Sequence, residues 1–74
     1  MRSRISSNAP VYIIPTTNDR WAVYREGNRA PSKYMSHQYE AIQFGRNIAK
    51  QNKTQLIIQN RKGVMRLTFN YNQN

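Results

Sequence analysis

Residues 38–52 of this 74-residue chain read QYEAIQFGRNIAKQN, and they have the periodicity of an amphipathic helix. At 100° per residue, the apolar and small side chains share a sector about 160° wide. The sector holds Ala41, Ile42, Phe44, Gly45, Ile48 and Ala49, and the opposite side holds Tyr39, Gln43, Arg46, Asn47, Lys50 and Lys53. We therefore predict that one side packs and the other is basic, and that Gly45 lets the helix approach a sheet closely.

Strand patterns precede this helix. Val11-Tyr12-Ile13-Ile14 is β-branched and aromatic and is closed by Pro15, and residues 20–25 resume the pattern after the turn-forming residues 16–19. These two runs predict a β-hairpin. Residues 26–28 then break the strand, and we expect residues 29–35 to form an irregular connector.

Two further strands are predicted after the helix. Residues 55–59 form one, and residues 64–71 alternate, which places Met65, Leu67, Phe69 and Tyr71 inward. Gly63, within the loop of residues 60–63, is the residue type that a hairpin with a bulge needs.

The order of these patterns predicts an α+β fold of type ββαββ. Two β-hairpins would form one mainly antiparallel sheet with the single helix on one face, and the strand order stays open. Residues 1–9 are expected to be a flexible leader, and residues 10–72 a single small domain. The predicted core consists of Trp21, Val23, Ile42, Ile48, Leu56, Ile58, Leu67 and Phe69.

Charge is the strongest compositional signal, because 12 basic residues against 3 acidic ones leave a net charge of +9. Such a chain favours an anionic partner, a nucleic acid or an acidic protein, although positive charge also serves solubility alone. The chain has no cysteine and no apolar run long enough for a signal peptide or a membrane span, so we expect a cytoplasmic protein and no membrane partner.

Catalytic and cofactor motifs are scarce. The spacing of the one histidine and three acids matches no metal-ligand motif, and no glycine-rich phosphate loop occurs, so we expect neither metal nor cofactor. His37 and Glu40 resemble the base and orienting acid of a small RNase, but a helix start explains them better, since Glu is common at the third helical position. We therefore expect that this protein is not an enzyme.

The candidate nucleic-acid-binding residues are basic side chains on the helix and the last hairpin. They are Arg46, Lys50, Lys53, Arg61, Lys62 and Arg66. The first three share an exposed stripe in the predicted helix, which either follows a phosphate backbone or keeps the helix solvated. Outward-facing Tyr12 and Tyr24 are candidates for base stacking, although sheet tyrosines are commonly structural.

Several short motifs support a family resemblance. They are Tyr12-Ile13-Ile14-Pro15, Trp21-Ala22-Val23 with Gly27 and Arg29-Ala30 following, Glu40-Ala41-Ile42, Ala49, and Arg61-Lys62-Gly63. Over roughly residues 11 to 71 this pattern resembles the short bacterial proteins of domain-of-unknown-function family 2188. The resemblance implies a compact α+β module from bacteria, plasmids or phages and no activity. That family usually has Thr or Ser three residues before the Glu, whereas this chain has His37, so either Ser36 caps the helix or His37 has a further role.

These observations favour a non-catalytic nucleic-acid-binding module that acts through the basic helix face and the hairpin tip. The alternative is a protein-interaction or regulatory module, such as an inhibitor, with an acidic protein partner. A small RNase-like toxin is the third hypothesis.

Overall fold

In the computed structural model, which describes residues 9–60 and 66–71, one helix packs on one side of a five-stranded sheet. The elements in chain order are β1 (Val11–Pro15), β2 (Trp21–Arg25), β3 (Lys33–Met35), α1 (Gln38–Gln51), β4 (Gln55–Gln59) and β5 (Arg66–Asn70). The predicted α+β class, the first hairpin and the helix are confirmed. The last strand is described from Arg66 onward, and the predicted loop and strand residues 61–65 lie outside the described part.

The strand order, which the sequence leaves open, is β3-β2-β1-β4-β5. β1 and β4 form a parallel pair at the centre, and the other three pairings are antiparallel. A parallel pair requires a long crossover connection. Here the crossover contains β2, β3 and α1, and α1 returns the chain across the sheet to β4.

Local hydrogen bonds and backbone conformations explain the turns that follow β1 and β2. The Thr16 amide donates to the Arg20 carbonyl at 2.8 Å, and the Thr16 hydroxyl donates to the same oxygen at 3.1 Å. Asp19 has a φ of 59°, a left-handed conformation that Asp tolerates. After β2, Gly27 has a φ of 99° in a turn closed by the Asn28 amide and the Arg25 carbonyl.

The prediction of an irregular connector at residues 29–35 is wrong for its last three residues. Lys33–Met35 form β3, which pairs antiparallel with β2 and covers an edge that would otherwise be unpaired. The Ser32 amide already donates to the Val23 carbonyl at 2.7 Å, so the chain reaches β2 before the strand begins. Because a three-residue strand without β-branched side chains has no clear sequence pattern, partnership with β2 determines its conformation.

Gly45 is at the closest approach of α1 to the sheet, as predicted. A Cβ atom at this position would lie 2.7 Å from Ile13 Cδ1, 3.1 Å from Leu56 Cδ1 and 3.3 Å from Val11 Cγ1. These three side chains belong to the central strands β1 and β4. The absence of a side chain at Gly45 therefore sets the distance between helix and sheet.

The core lies between α1 and the central strands. Trp21, Val23, Leu56 and Ile58 are buried as predicted, and Ile42 and Ile48 are half-buried against them. The assignment of Leu67 and Phe69 to the core is wrong, since they are 54% and 40% exposed. Their register partners Ile58 and Leu56 show that they lie on the helix side of the sheet. Within the described residues α1 packs on the other four strands and not on β5, so these side chains stay uncovered.

Candidate nucleic-acid interface

Lys50 and Lys53 lie at the C-terminal end of α1, and both are exposed. The Lys50 ammonium lies 5.9 Å from the centre of the Tyr71 ring, within the range of a cation–π contact. A lysine in the last turn also interacts favourably with the helix dipole. Lys50 therefore has a structural role open to it besides the binding of a ligand.

Lys53 lies in a conformation that usually selects glycine. Its φ is 52°, its amide donates to the Lys50 carbonyl at 3.3 Å, and the next amide, of Thr54, donates to the Ala49 carbonyl at 3.0 Å. This pair of bonds is the Schellman motif, in which the left-handed position is most often Gly. The chain thus keeps a cationic side chain at a position where glycine has lower conformational energy.

Arg46 is less exposed than the predicted stripe implies. It is half-buried, and its Nε atom is buried without a hydrogen-bond partner. In an ideal helix Arg46 is about 100° from Gly45, whereas Lys50 is about 140° away, so Arg46 lies nearer the packed side.

Arg66, which is also a predicted binding residue, is not brought to the end of the helix. Arg66 begins β5, opposite Gln59, whereas Gln55 and Asn70 pair at the other end of β4 and β5. Four residues of strand, roughly 13 Å, separate the two pairs. Arg61 and Lys62 lie outside the described residues.

The sheet topology concentrates cations at one end of the domain. β1 and β4 begin at this end, β2 finishes there, and the last turn of α1 leads directly into β4. Arg25 ends β2, and exposed Arg29 follows in the loop from β2 to β3. We call the end that carries Arg25, Arg29, Lys50 and Lys53 the basic end. The sequence did not predict Arg25 and Arg29 as part of this group, because only the parallel pairing of β1 and β4 brings them to the same end as the lysines.

The acidic residues of the chain leave the lysines of the basic end unneutralised. Glu26 accepts a hydrogen bond from the Tyr12 hydroxyl at 2.9 Å, and Glu40 lies 3.6 Å from the His37 ring nitrogen Nδ1. Asp19 lies in the β1–β2 turn, at the opposite end of the sheet. In the described part of the chain no carboxylate forms an ion pair with Lys50 or Lys53.

The histidine of the RNase-like hypothesis lies at the start of α1. His37 is the N-cap residue, with extended backbone angles and no side-chain cap bond, so it and not Ser36 occupies the cap position. Glu40 is at the third helical position, as the helix-start interpretation predicts, and both side chains are exposed. His37 and Glu40 lie on the first turn of α1, whereas the basic end lies at its last turn.

Tyr12 and Tyr24 lie on the side of the sheet away from α1, which we call the open face. They are register partners in β1 and β2. The residues on either side of Tyr12 in the chain, Val11 and Ile13, face α1 at Gly45, so Tyr12 points to the opposite side of the sheet. Tyr34 of β3 pairs with Ala22 and extends the same face with a 53% exposed side chain. Sequence reasoning missed Tyr34 because its strand was assigned to the connector.

The described residues contain neither a metal-binding cluster nor a membrane-spanning helix. Among residues 9–60 and 66–71 there is no group of three or more His, Asp or Glu side chains that could bind a metal ion. The single helix found there is too short and too polar to cross a membrane.

The fold and this surface define a small basic α+β module with one helix on a mixed sheet and a cluster of cations at one end. The chain belongs to the family described as "uncharacterized protein conserved in bacteria" (DUF2188), whose model matches residues 11–71. No curated protein and no solved structure gives a significant match. The family resemblance predicted from the short motifs is therefore confirmed.

Proposed function

We propose that this protein is a non-catalytic nucleic-acid-binding module whose basic end contacts phosphate groups. The observation that carries the proposal is the arrangement of Arg25, Arg29, Lys50 and Lys53 at one end of the sheet, with the two lysines lacking a carboxylate partner among the described residues. Phosphate backbones supply most of the affinity of such proteins, and lysine and arginine supply the contacts.

The backbone conformation of Lys53 supports the proposal independently. A left-handed conformation costs a residue with a Cβ atom about 1 kcal/mol relative to Gly. Strained backbone conformations cluster at sites where a residue serves a function. A phosphate contact from Lys53 supplies that function, whereas solubility alone is served by a lysine at any exposed position.

The test is a titration of fluorescently labelled DNA, single-stranded and duplex, followed by anisotropy from low to physiological salt. Three to five neutralised phosphates give a log–log slope of affinity against salt of roughly −2.7 to −4.5 on duplex DNA. Lys50→Gln should flatten this slope by about 1 and weaken binding of all sequences equally. Lys50→Gln with Lys53→Gln should flatten it by about 2.

Arg20→Gln is the matched control, because it removes one exposed cation from the opposite end of the sheet. We expect it to change the affinity only slightly. An equal loss in Arg20→Gln and Lys50→Gln would contradict a contact localised at the basic end. Binding through Arg61, Lys62 and Arg66 remains a separate prediction from the sequence, and glutamine substitutions there test it in the same assay.

A second candidate function is binding of an acidic protein, since the net charge of +9 favours an acidic partner and β5 offers a surface for it. This edge strand exposes Leu67 and Phe69, and among residues 9–60 and 66–71 no strand pairs with its outer side. Edge strands of this kind accept strands from partner proteins. If neither single-stranded nor duplex DNA binds at low salt, and RNA does not bind either, the nucleic-acid proposal is wrong and this surface becomes the better candidate.

A further inference from the structure

A shallow cavity on the open face lies at the basic end of the sheet. Its volume is about 360 Å³, and its lining comprises Tyr12, Ile14, Tyr24, Arg25, Glu26, Gly27 and Asn28. This volume is at the lower limit of small-molecule sites, about 300 to 1,000 Å³. The cavity therefore suits a small planar group better than a large ligand.

The cavity combines two aromatic side chains with one oriented carboxylate. Tyr12 and Tyr24 are half-buried neighbours, and neighbouring aromatic residues on a sheet are a common platform for unpaired bases. The Tyr12 hydroxyl donates to Glu26 Oε1 at 2.9 Å and holds the carboxylate at the cavity. Because a carboxylate has lone pairs for about four hydrogen bonds, Glu26 keeps the capacity to accept from a ligand.

The acceptor-only chemistry of Glu26 selects among the bases. Cytosine, adenine and guanine carry an exocyclic amino group that donates hydrogen bonds to a carboxylate. The N–H group of thymine or uracil stands between two carbonyl oxygens, and those oxygens repel the carboxylate. An ionised acceptor also makes this bond stronger than a bond between neutral groups.

The topology places the cavity at the same end of the sheet as Lys50 and Lys53, although those lysines lie on the helix side of the sheet and the cavity on the open face. Tyr12 is the second residue of β1 and Tyr24 the last but one of β2, so both lie near the end that carries Lys50 and Lys53. Arg25 lines the cavity itself. A strand with one base in the cavity would therefore pass exposed Arg29, in the loop after β2, and would have to turn round the end of the sheet to reach the lysines.

We propose that this cavity binds one unpaired nucleobase with an exocyclic amino group, which Glu26 recognises and the two tyrosines support. The inference rests on the proposed function and adds to it a single-stranded ligand and a base preference. Glu26 is then a specificity residue, whereas Lys50 and Lys53 supply affinity that is independent of sequence.

The experiment compares oligodeoxycytidine with oligodeoxythymidine, each of about twelve nucleotides, by anisotropy at neutral pH and constant salt. Both are pyrimidines, so the comparison keeps the ring size constant while the 4-amino group and N3 acceptor of cytosine are exchanged for the 4-carbonyl, N3–H and 5-methyl groups of thymine. We expect the wild-type protein to bind the cytidine probe about tenfold more tightly. Chemical shifts in NMR spectra with the cytidine probe should change most at Tyr12, Tyr24 and Gly27.

Glu26→Gln should bring the ratio of the two affinities close to one, because an amide both donates and accepts and so accommodates either base. Tyr12→Phe should reduce the ratio partly, since it keeps the ring and removes the bond that holds the carboxylate. Glu40→Gln is the matched control, because it removes the same charge at the start of the helix. It should strengthen binding of both probes slightly and leave their ratio unchanged.

The outcomes separate the two proposals. Equal affinity of the wild-type protein for both probes, with the salt dependence retained, would overturn the base site and leave the proposed function standing. A ratio that changes as much in Glu40→Gln as in Glu26→Gln would also overturn it. No binding of either probe, of duplex DNA or of RNA at low salt would overturn both.

Discussion

The central strands and the edge strand β5 have the same alternating pattern but different surroundings. Leu56 in β4 is fully buried, whereas Leu67, in the neighbouring strand and on the same side of the sheet, is 54% exposed. The difference is the cover that α1 provides, since the helix packs on β1, β2, β3 and β4. Alternation thus determines the side of the sheet on which a residue lies, and the width of the covering layer determines whether it is buried.

The largest effect is expected when a leucine is replaced by alanine in β4, and the same replacement in β5 tests the difference between the two strands. Leu56→Ala should destabilise the domain by about 2 to 5 kcal/mol, because it removes a buried side chain and leaves a cavity. Leu67→Ala should cost less than about 1 kcal/mol, because water already reaches that side chain. Urea unfolding followed by circular dichroism measures both values.

A domain of this size has about 4 to 11 kcal/mol of total stability, so Leu56→Ala leaves little in reserve. Comparable losses for the two leucines would contradict the exposure of β5 in the isolated chain. They would indicate that Leu67 is covered in solution, for instance by a second copy, and the concentration dependence of unfolding would reveal that copy.

A smaller effect is expected at Gly45, where the helix meets the central strands. Gly45→Ala gains about 1 kcal/mol of helix propensity. The added methyl group, however, must displace Ile13 and Leu56 in a packed core, and that costs about 1 to 3 kcal/mol. We expect a net loss of about 1 kcal/mol in thermal or urea unfolding, and a gain in stability would show that the helix can move away from the sheet without cost.

The smallest effect, and a stabilising one, is expected at the turn that ends the helix. Lys53→Gly should raise the unfolding free energy by up to about 1 kcal/mol, because glycine adopts the left-handed conformation without strain. The same variant should bind DNA more weakly, since it removes a cation of the basic end. Urea unfolding and anisotropy measured on one sample separate the two effects, and weaker binding together with lower stability would contradict the assigned conformation.

The sequence was sufficient for the elements with strong local signals. The 3.6-residue period of residues 38–52 predicted the helix, and Gly45 in its packed side predicted the close approach. β3 has no such signal, because its conformation depends on pairing with β2. The exposure of Leu67 and Phe69 depends on how far one helix extends across five strands, a property that no local pattern contains.

The candidate sites were predictable to a similar degree. Helical spacing placed Lys50 and Lys53 on one exposed surface, but it overestimated the exposure of Arg46. The contributions of Arg25 and Arg29, and the contact of Glu26 with Tyr12, depend on the strand order and register. These relations connect residues far apart in the chain, so a single sequence does not reveal them.

The parallel pairing of β1 with β4 also determines when this chain can fold. Val11 pairs with Leu56, about 45 positions later, so the centre of the sheet cannot form until most of the chain has been synthesised. An isolated two-stranded hairpin is at best marginally stable in water. During translation the first hairpin must therefore wait for α1 and β4 to leave the ribosome, and a chain that stops before Leu56 has no central pair to form.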